Sequence, residues 1–117
     1  MRPFDSLRGR REFTLAMRRG AVASTAALTV HAFSPRSRPS DLPKVGIIVT
    51  KKVGGAVVRN RIRRRCKAIL RSALSEDKTV WYVVSCKPVA ASLKFAELRQ
   101  QLLDATARAV RARKERP

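Results

Sequence analysis

The pattern of apolar and polar residues predicts three β-strands. Residues 28–33 alternate, so every second side chain from Leu28 would face one side of a sheet. Residues 44–51 are nearly all apolar at their centre, which is typical of an inner strand. Residues 80–85 form the third predicted strand, and residues 50–53 leave room for a short extra one.

Apolar residues at helical spacing predict three helices. The first covers residues 10–19, and Gly20 is well placed to end it. The second covers residues 56–74, and the third covers residues 93–111. The apolar positions of these helices are Phe13, Ala16 and Met17 in the first, Val58, Ile62, Cys66, Ile69, Leu70 and Ala73 in the second, and Phe95, Leu98, Leu102, Ala105 and Ala109 in the third.

The mixed order of these elements predicts an α+β fold with three helices packed on one small sheet. A length of 117 residues fits one domain, with loops at residues 34–43 and 75–78. The ends, residues 1–9 and 112–117, are basic, and we expect them to be flexible.

The net charge indicates that this small globular domain binds a polyanion. Lys and Arg number 27 against 8 Asp and Glu, which gives a formal net charge of +19. Nucleic acid carries dense negative charge and is the natural partner of such a chain. We therefore interpret residues 1–117 as a single nucleic-acid-binding domain.

Other classes of protein are disfavoured. No run of apolar residues is long enough to span a membrane. Cys66 and Cys86 have no zinc-type spacing, and a disulfide scaffold is not indicated, so we expect a reduced, cytoplasmic protein without a metal site of its own. Metal-dependent cleavage needs clustered carboxylates or histidines, whereas the acids here are scattered and His31 is the single histidine. We expect no catalytic residue in this chain.

One segment, residues 51–71, concentrates the basic residues and contains no acid. A solvated surface helix usually mixes Glu with Lys for support four residues apart, so a purely basic face favours phosphate binding. Asn60 lies near the start of this helix, where it could cap the helix, contact RNA or hold a hydrated metal ion. The candidate RNA-binding residues are Lys51, Lys52, Arg59, Asn60, Arg61, Arg63, Arg64, Arg65, Lys67 and Arg71.

The same region resembles a known family. The stretch from Val45 to Gly54 contains Lys51-Lys52-Val53-Gly54 and is followed by Arg59-Asn60-Arg61, which is similar to the signature of the bacterial ribonuclease P protein subunit. Arg10-Arg11-Glu12-Phe13 and Ser85-Cys86-Lys87-Pro88 resemble further pieces of that family in order and spacing. The similarity spans about residues 7–107.

The resemblance implies a fold and a role. The fold would be ribosomal protein S5 domain 2-like, with a left-handed βαβ crossover that general topology rules disfavour. The partners would be the catalytic RNA subunit and precursor tRNA, with no membrane and no protein partner required. The RNA would do the chemistry with bound Mg²⁺, so the chain would be the protein component of an endoribonuclease that removes the 5′ leader of precursor tRNA.

The resemblance also implies a cleft for the leader between the sheet and the first helix. The matching positions here are Phe13, Met17, His31, Lys52 and Lys87. Met17 and His31 stand where relatives often carry aromatic residues, although both can still pack against a base. Gly55 and Cys86 replace residues that are commonly polar or basic in the family.

Two alternatives share the charge and size. A structural RNA-binding protein of the small ribosomal type has the same composition, and only the ordered family matches separate the two. A DNA-binding protein with a recognition helix usually has a supporting helix and a turn just before it. Here a predicted strand and Gly54-Gly55 precede the basic helix.

Overall fold

The computed structural model describes residues 4–35, 42–74 and 80–115. The predicted loop residues 36–41, the predicted turn residues 75–78 and the extreme ends lie outside the described residues. The elements in chain order are β1 (Asp5–Ser6), α1 (Gly9–Arg19), β2 (Ala21–Ser24), β3 (Leu28–Phe33), β4 (Lys44–Val49), α2 (Ala56–Ala73), β5 (Trp81–Cys86), a 3₁₀ turn (Pro88–Ser92) and α3 (Phe95–Glu115).

The five strands form one mixed sheet in the order β1-β4-β5-β3-β2. β4 is parallel to both β1 and β5, whereas β3 is antiparallel to β5 and β2. α2 connects the parallel neighbours β4 and β5, so β4-α2-β5 is the βαβ crossover that the resemblance implies. Its left-handedness stays a prediction. The carboxyl ends of β4 and β5 meet at one edge, where the basic segment begins.

The main hydrophobic core lies between one face of the sheet and the helices α2 and α3. Strand residues such as Leu28, Val30 and Tyr82 pack there against Leu70 and Leu102, and each of these side chains is at most 1% exposed. Burying a large apolar side chain stabilises a fold by about 1.5–3 kcal/mol, so this layer holds α2 in a fixed orientation.

A second, smaller core lies on the opposite face of the sheet, under α1. Leu7, Ala16 and Val83 are its buried members. The ring of Phe13 lies against Gly46 of β4, where a Cβ atom would collide with it. α1 therefore sits close to the sheet at this point because β4 offers a residue without a side chain.

The structure confirms the α+β class and corrects several element boundaries. β1 and β2 were not predicted. The extra strand at residues 50–53 is wrong, because these residues form a turn closed by a hydrogen bond from Val53 N to Thr50 O (3.0 Å). Phe95 is 43% exposed at the start of α3 and is not a core residue. α3 also continues past Arg111, to Glu115.

Candidate nucleic-acid interface

α2 presents a basic stripe on the side opposite its buried face. Ile62, Cys66, Ile69 and Leu70 point into the main core and orient the helix. Residues three or four positions apart lie on the same side of a helix. The outward stripe formed in this way consists of the exposed side chains Asn60, Arg64, Lys67 and Arg71.

Four further arginines of α2 flank this stripe and are partly buried. Arg63 is the one with described hydrogen bonds: it donates to Asn60 Oδ1 (3.3 Å) and to the carbonyl oxygen of Val49 (3.4 Å). The Nε atoms of Arg59 and Arg61 are buried and have no hydrogen-bond partner among the described residues. The four arginines are Arg59, Arg61, Arg63 and Arg65.

No basic side chain of α2 is paired with a carboxylate among the described residues. The ion pairs described in the structure lie elsewhere, between Lys44 and Glu12 and between Arg108 and Asp104. The first turn of α2 contains no acid either. The positive charge of α2 is therefore not neutralised within the part of the chain that the structure describes, and it is available to an external anion.

Asn60 does not cap α2. The N-terminal cap position is Gly55, which makes no side-chain capping bond, and Asn60 lies five residues later. Of the three roles considered for Asn60, the capping role is therefore wrong. The RNA and metal roles stay predictions, and its Oδ1 atom is engaged by Arg63.

The turn before α2 adds two exposed cations. Lys51 and Lys52 both protrude from the turn that follows β4. Close to the start of α2, a surface depression of about 450 Å³ has Val57, which is 79% exposed, beside cationic side chains. The lining residues are Val57, Asn60, Arg63, Arg64 and Lys67.

The predicted leader-cleft residues lie on the α1 side of the sheet or at its edge. Phe13 is half-buried on Gly46, whereas Met17, one turn later on α1, is 38% exposed. His31 is half-buried on β3. Lys52 and Lys87 follow the carboxyl ends of the parallel strands β4 and β5, which brings both to one edge of the sheet.

Lys87 is not a free cation. Its ammonium group donates to the carbonyl oxygen of Thr25 (2.6 Å), in the turn between β2 and β3. Its backbone N–H also bonds to Ala27 O (2.7 Å). Lys87 therefore fixes the β2–β3 turn against the end of β5, and contact with RNA would have to share or break the bond to Thr25.

The α1 side of the sheet contains buried polar atoms that sequence reasoning missed. Ser85 and Trp81 alternate with core residues on β5, so they face the same side as His31. Ser85 Oγ, Trp81 Nε1 and His31 Nδ1 are all buried without a hydrogen-bond partner among the described residues. Burial lowers the pKa of His31, although a hydrogen bond with the backbone of Val83 opposes the shift. Donors and acceptors of this kind on a sheet surface can bind the polar edge of a base.

Aromatic and charged contacts surround Trp81 at the start of β5. Trp81 packs edge-to-face on Phe33, with ring centroids 5.9 Å apart. The ammonium of Lys44 lies 5.2 Å from the centre of the Trp81 ring and 3.0 Å from Glu12 Oε2. α1 is thereby tied to β4 at this end.

The two cysteines belong to the core and not to the cleft. Both are buried and free, on α2 and β5. Hydrogen bonding with Cys86 and burial raise the pKa of the Cys66 thiol, so it is neutral at physiological pH.

The residues described here do not assemble a metal site. No three His, Cys, Asp or Glu side chains come together in residues 4–35, 42–74 and 80–115. Glu12 is already engaged by the Arg8 N–H and by Lys44, and burial, which would raise its pKa, is outweighed by these contacts, so its pKa is lowered.

Comparison with known proteins decides the family. The family model described as Ribonuclease P matches residues 1–110. The chain belongs to the ribonuclease P protein family. The ribonuclease P protein component of Thermobifida fusca is 40% identical over 114 residues, which cover 92% of this chain and 77% of that protein. That of Streptomyces avermitilis is 37% identical over 106 residues, with 84% and 85% covered.

Solved structures of ribonuclease P proteins share the fold. The Thermotoga maritima protein superposes with a TM-score of 0.71 at 25% identity, covering 86% of this chain and 93% of that one. A Staphylococcus aureus ribonuclease P protein mutant gives a TM-score of 0.77 at 16% identity, covering 90% and 87%, and supports the fold alone. The family resemblance inferred from the Lys-Lys-Val-Gly and Arg-Asn-Arg segments is confirmed. Among the described residues, no helix of this ribonuclease P protein has the length and apolar character of a membrane span.

Proposed function

We propose that this chain is the protein subunit of a ribonuclease P ribonucleoprotein, which binds the catalytic RNA and the 5′ leader of precursor tRNA and promotes removal of the leader. The observation that carries the proposal is the uncompensated basic stripe on α2. An anchored helix with no acid along its length presents cations at fixed spacing, and phosphates that bind it release their counterions.

The two sides of the sheet would divide the binding work. The α2 stripe, with Asn60, Arg64, Lys67 and Arg71 at its centre, would bind the folded catalytic RNA through its phosphates. The cleft beside α1 would take the single-stranded leader, because unstacked bases can pack on side chains such as Phe13. Lys52, at the edge between them, would contact either RNA.

The chemistry would belong to the RNA and its bound Mg²⁺, which supplies charge stabilisation and an activated water in phosphodiester cleavage. The chain would contribute binding and orientation, through cations such as Arg61 and Arg64 close to the RNA. We also propose a cytoplasmic location and activity without a further protein partner.

A cleavage assay on a precursor tRNA at low magnesium tests this proposal. The cognate catalytic RNA alone, the protein alone and the two together are compared. Cleavage at the mature 5′ end only with both present supports the proposal. Cleavage by the protein alone would place an active site in the chain, and tight RNA binding without stimulation would favour a structural RNA-binding protein of the ribosomal type.

A pair of matched variants connects the assay to the stripe. Arg61→Ala/Arg64→Ala removes one charge from the stripe and one from its flank, and Lys94→Ala/Arg99→Ala removes two charges from exposed positions near the start of α3. We expect only the first pair to require more protein for full stimulation. Equal behaviour of the two variants would mean that net charge, and not the α2 stripe, recruits the RNA.

A further inference from the structure

α1 carries a second basic surface, on the side that faces away from the sheet. Phe13 and Ala16 lie on its inner side, against the sheet. The residues on the opposite side of the helix face outward. There they line an open surface depression of about 610 Å³. Its lining residues are Arg10, Arg11, Thr14, Leu15, Arg18 and Arg19.

The charge of this surface is not compensated by the helix that carries it. Glu12 is the single acid of α1, and both of its oxygens are engaged elsewhere. Oε1 accepts the N–H of Arg8 (2.5 Å), and Oε2 accepts the ammonium of Lys44 (3.0 Å). Among the described residues, no carboxylate is paired with Arg10, Arg11 or Arg18, which are all exposed.

The position of two of these arginines also works against the stability of the helix. Arg10 and Arg11 lie in the first turn of α1, at the positive end of the helix dipole, where acidic residues are favoured. Arginines at that end have no stabilising partner in the described structure. An external anion would relieve the repulsion that they experience.

The size and chemistry of the depression fit a nucleotide chain. From Arg11 to Arg18 the helix rises about 10 Å, so the guanidinium groups at its two ends can bind different phosphates of one strand. Leu15 and Thr14 lie between the arginines and provide an apolar and a hydroxyl contact for a ribose or a base. Guanidinium groups at both ends can bind phosphates in a forked geometry.

We propose that the outer face of α1 is a second RNA-binding site, which takes a short segment of RNA strand and is separate from both the α2 stripe and the leader cleft. α1 and α2 lie on opposite faces of the sheet, so one RNA segment cannot follow both outer faces at once. The protein would thus be held between two RNA segments, with the leader cleft on the inner side of α1.

The salt dependence of RNA binding tests the site without relying on cleavage. The probe is a precursor tRNA transcript bound by the protein alone, titrated at several salt concentrations. For Arg11→Ala/Arg18→Ala we expect the slope of log affinity against log salt to fall by about 1.4 to 1.8, for two lost phosphate contacts. Lys94→Ala/Arg99→Ala removes the same charge and should leave the slope near the wild-type value.

Cross-linking locates the contact. Thr14→Cys, in the depression, and Ala96→Cys, exposed on α3, are each labelled with a short thiol-reactive photo-crosslinker, while the native Cys66 and Cys86 are buried. We expect RNA cross-links at position 14 and only background at position 96. An unchanged slope for Arg11→Ala/Arg18→Ala, a slope equal to that of the control pair, or no cross-link at position 14 would each overturn the proposal.

Folding of the variant is checked separately by thermal unfolding. Arg11 lies at the unfavourable end of the helix dipole and Arg18 at the favourable end, and neither is paired with a carboxylate among the described residues, so their replacement by Ala together should leave the melting temperature close to that of the wild type. A variant that is as stable as the wild type but binds RNA with a smaller salt slope has lost an interface. A failed cleavage assay with a positive cross-link at position 14 would reject the ribonuclease P role and leave this RNA site standing.

Discussion

The two faces of the sheet are covered very differently. On one face, α2 and α3 close a continuous core in which Leu70, Leu98 and Leu102 are each at most 1% exposed. On the other face, α1 is the one helix among the described residues, and it covers a small cluster around Leu7, Ala16 and Val83, while residues such as His31 stay half-buried.

This difference separates stability from binding. The closed face anchors α2 and so fixes the cations on its outer side, which is a rigid support for RNA. Within the part of the chain that the structure describes, the open face has buried polar atoms without a hydrogen-bond partner, such as Ser85 Oγ and Trp81 Nε1. Unsatisfied polar groups weaken a core but suit a surface that is completed by a ligand.

The largest effect on the free energy of unfolding is expected when a leucine on each face of the sheet is replaced by alanine. Leu70→Ala, in the closed core, should lower the free energy of unfolding by about 4 kcal/mol, and Leu7→Ala, under α1, by about 2 kcal/mol. The open cluster can collapse or admit water, so its cavity costs less. Urea unfolding in a phosphate or sulfate buffer, which screens the net charge of +19, measures both.

Arg71→Ala serves as the control for Leu70→Ala, because Arg71 is the next residue on α2 and is exposed. We expect it to change stability by less than about 0.5 kcal/mol. Equal losses for Leu7→Ala and Leu70→Ala would show that the two faces support the fold equally, and the division described above would not hold.

The next effect concerns the outer side of α2. Arg61→Ala/Arg64→Ala should weaken binding of the catalytic RNA and reduce its salt slope by about two units, one for each lost phosphate contact. Stability should change little, since neither side chain has a described ion pair. Anisotropy titrations over a range of salt measure the slope, and a wild-type slope would remove these arginines from the interface.

A helix or strand could be predicted from the sequence where its own residues carry a clear apolar pattern. α2 has strong apolar periodicity and β4 a nearly continuous apolar run, so their positions, and the outward stripe of α2, followed from the sequence. β2 was missed because Ala21 and Ala23 are weak strand formers, and pairing with β3 decides their conformation.

Short elements and strand order depend on tertiary contacts that no local pattern reports. β1 has two residues, held where Asp5 N bonds to Pro43 O (2.9 Å) and Leu7 N to Val45 O (3.0 Å). Ser85 and Trp81 lie on the α1 side of the sheet, close to His31, because β5 is placed between β4 and β3. Family resemblance supplied Phe13 and His31 as cleft residues, but it did not include these two.

A smaller effect is expected in the leader cleft. Phe13→Ala should weaken binding of precursor tRNA by about 1 kcal/mol more than binding of mature tRNA, because stacking on a base is lost only with the leader present. The substitution also removes packing on Gly46, so some loss of stability is expected. Paired titrations of the two tRNA forms measure the difference.

Phe13→Leu separates the two roles of the ring. Leucine retains most of the apolar packing against Gly46 and Leu7 but cannot stack on a base. We expect it to restore stability while keeping the loss of preference for precursor tRNA. If both variants lose equal affinity for the two tRNA forms, Phe13 is a core residue and the cleft does not read the leader through it.

The smallest effect is expected at His31, which is half-buried on β3. In the free protein burial lowers its pKa below the ordinary value of 6.5, so the unfolded chain takes up its proton first as the pH falls. His31 therefore contributes stability that is present above pH 6.5 and is lost progressively below it. His31→Gln should flatten this part of the pH profile.

The single histidine makes the shift directly measurable, since its ring protons can be followed by NMR without assignment of other histidines. We expect a pKa below 6.5 in the free protein and a higher pKa when a single-stranded leader oligonucleotide is bound, because leader phosphates favour the charged ring. A rise in pKa would place His31 within the field of the bound strand. An unchanged pKa on binding would show that the open face of the sheet extends beyond the part that the RNA uses, and His31 would then be only a half-buried residue under α1.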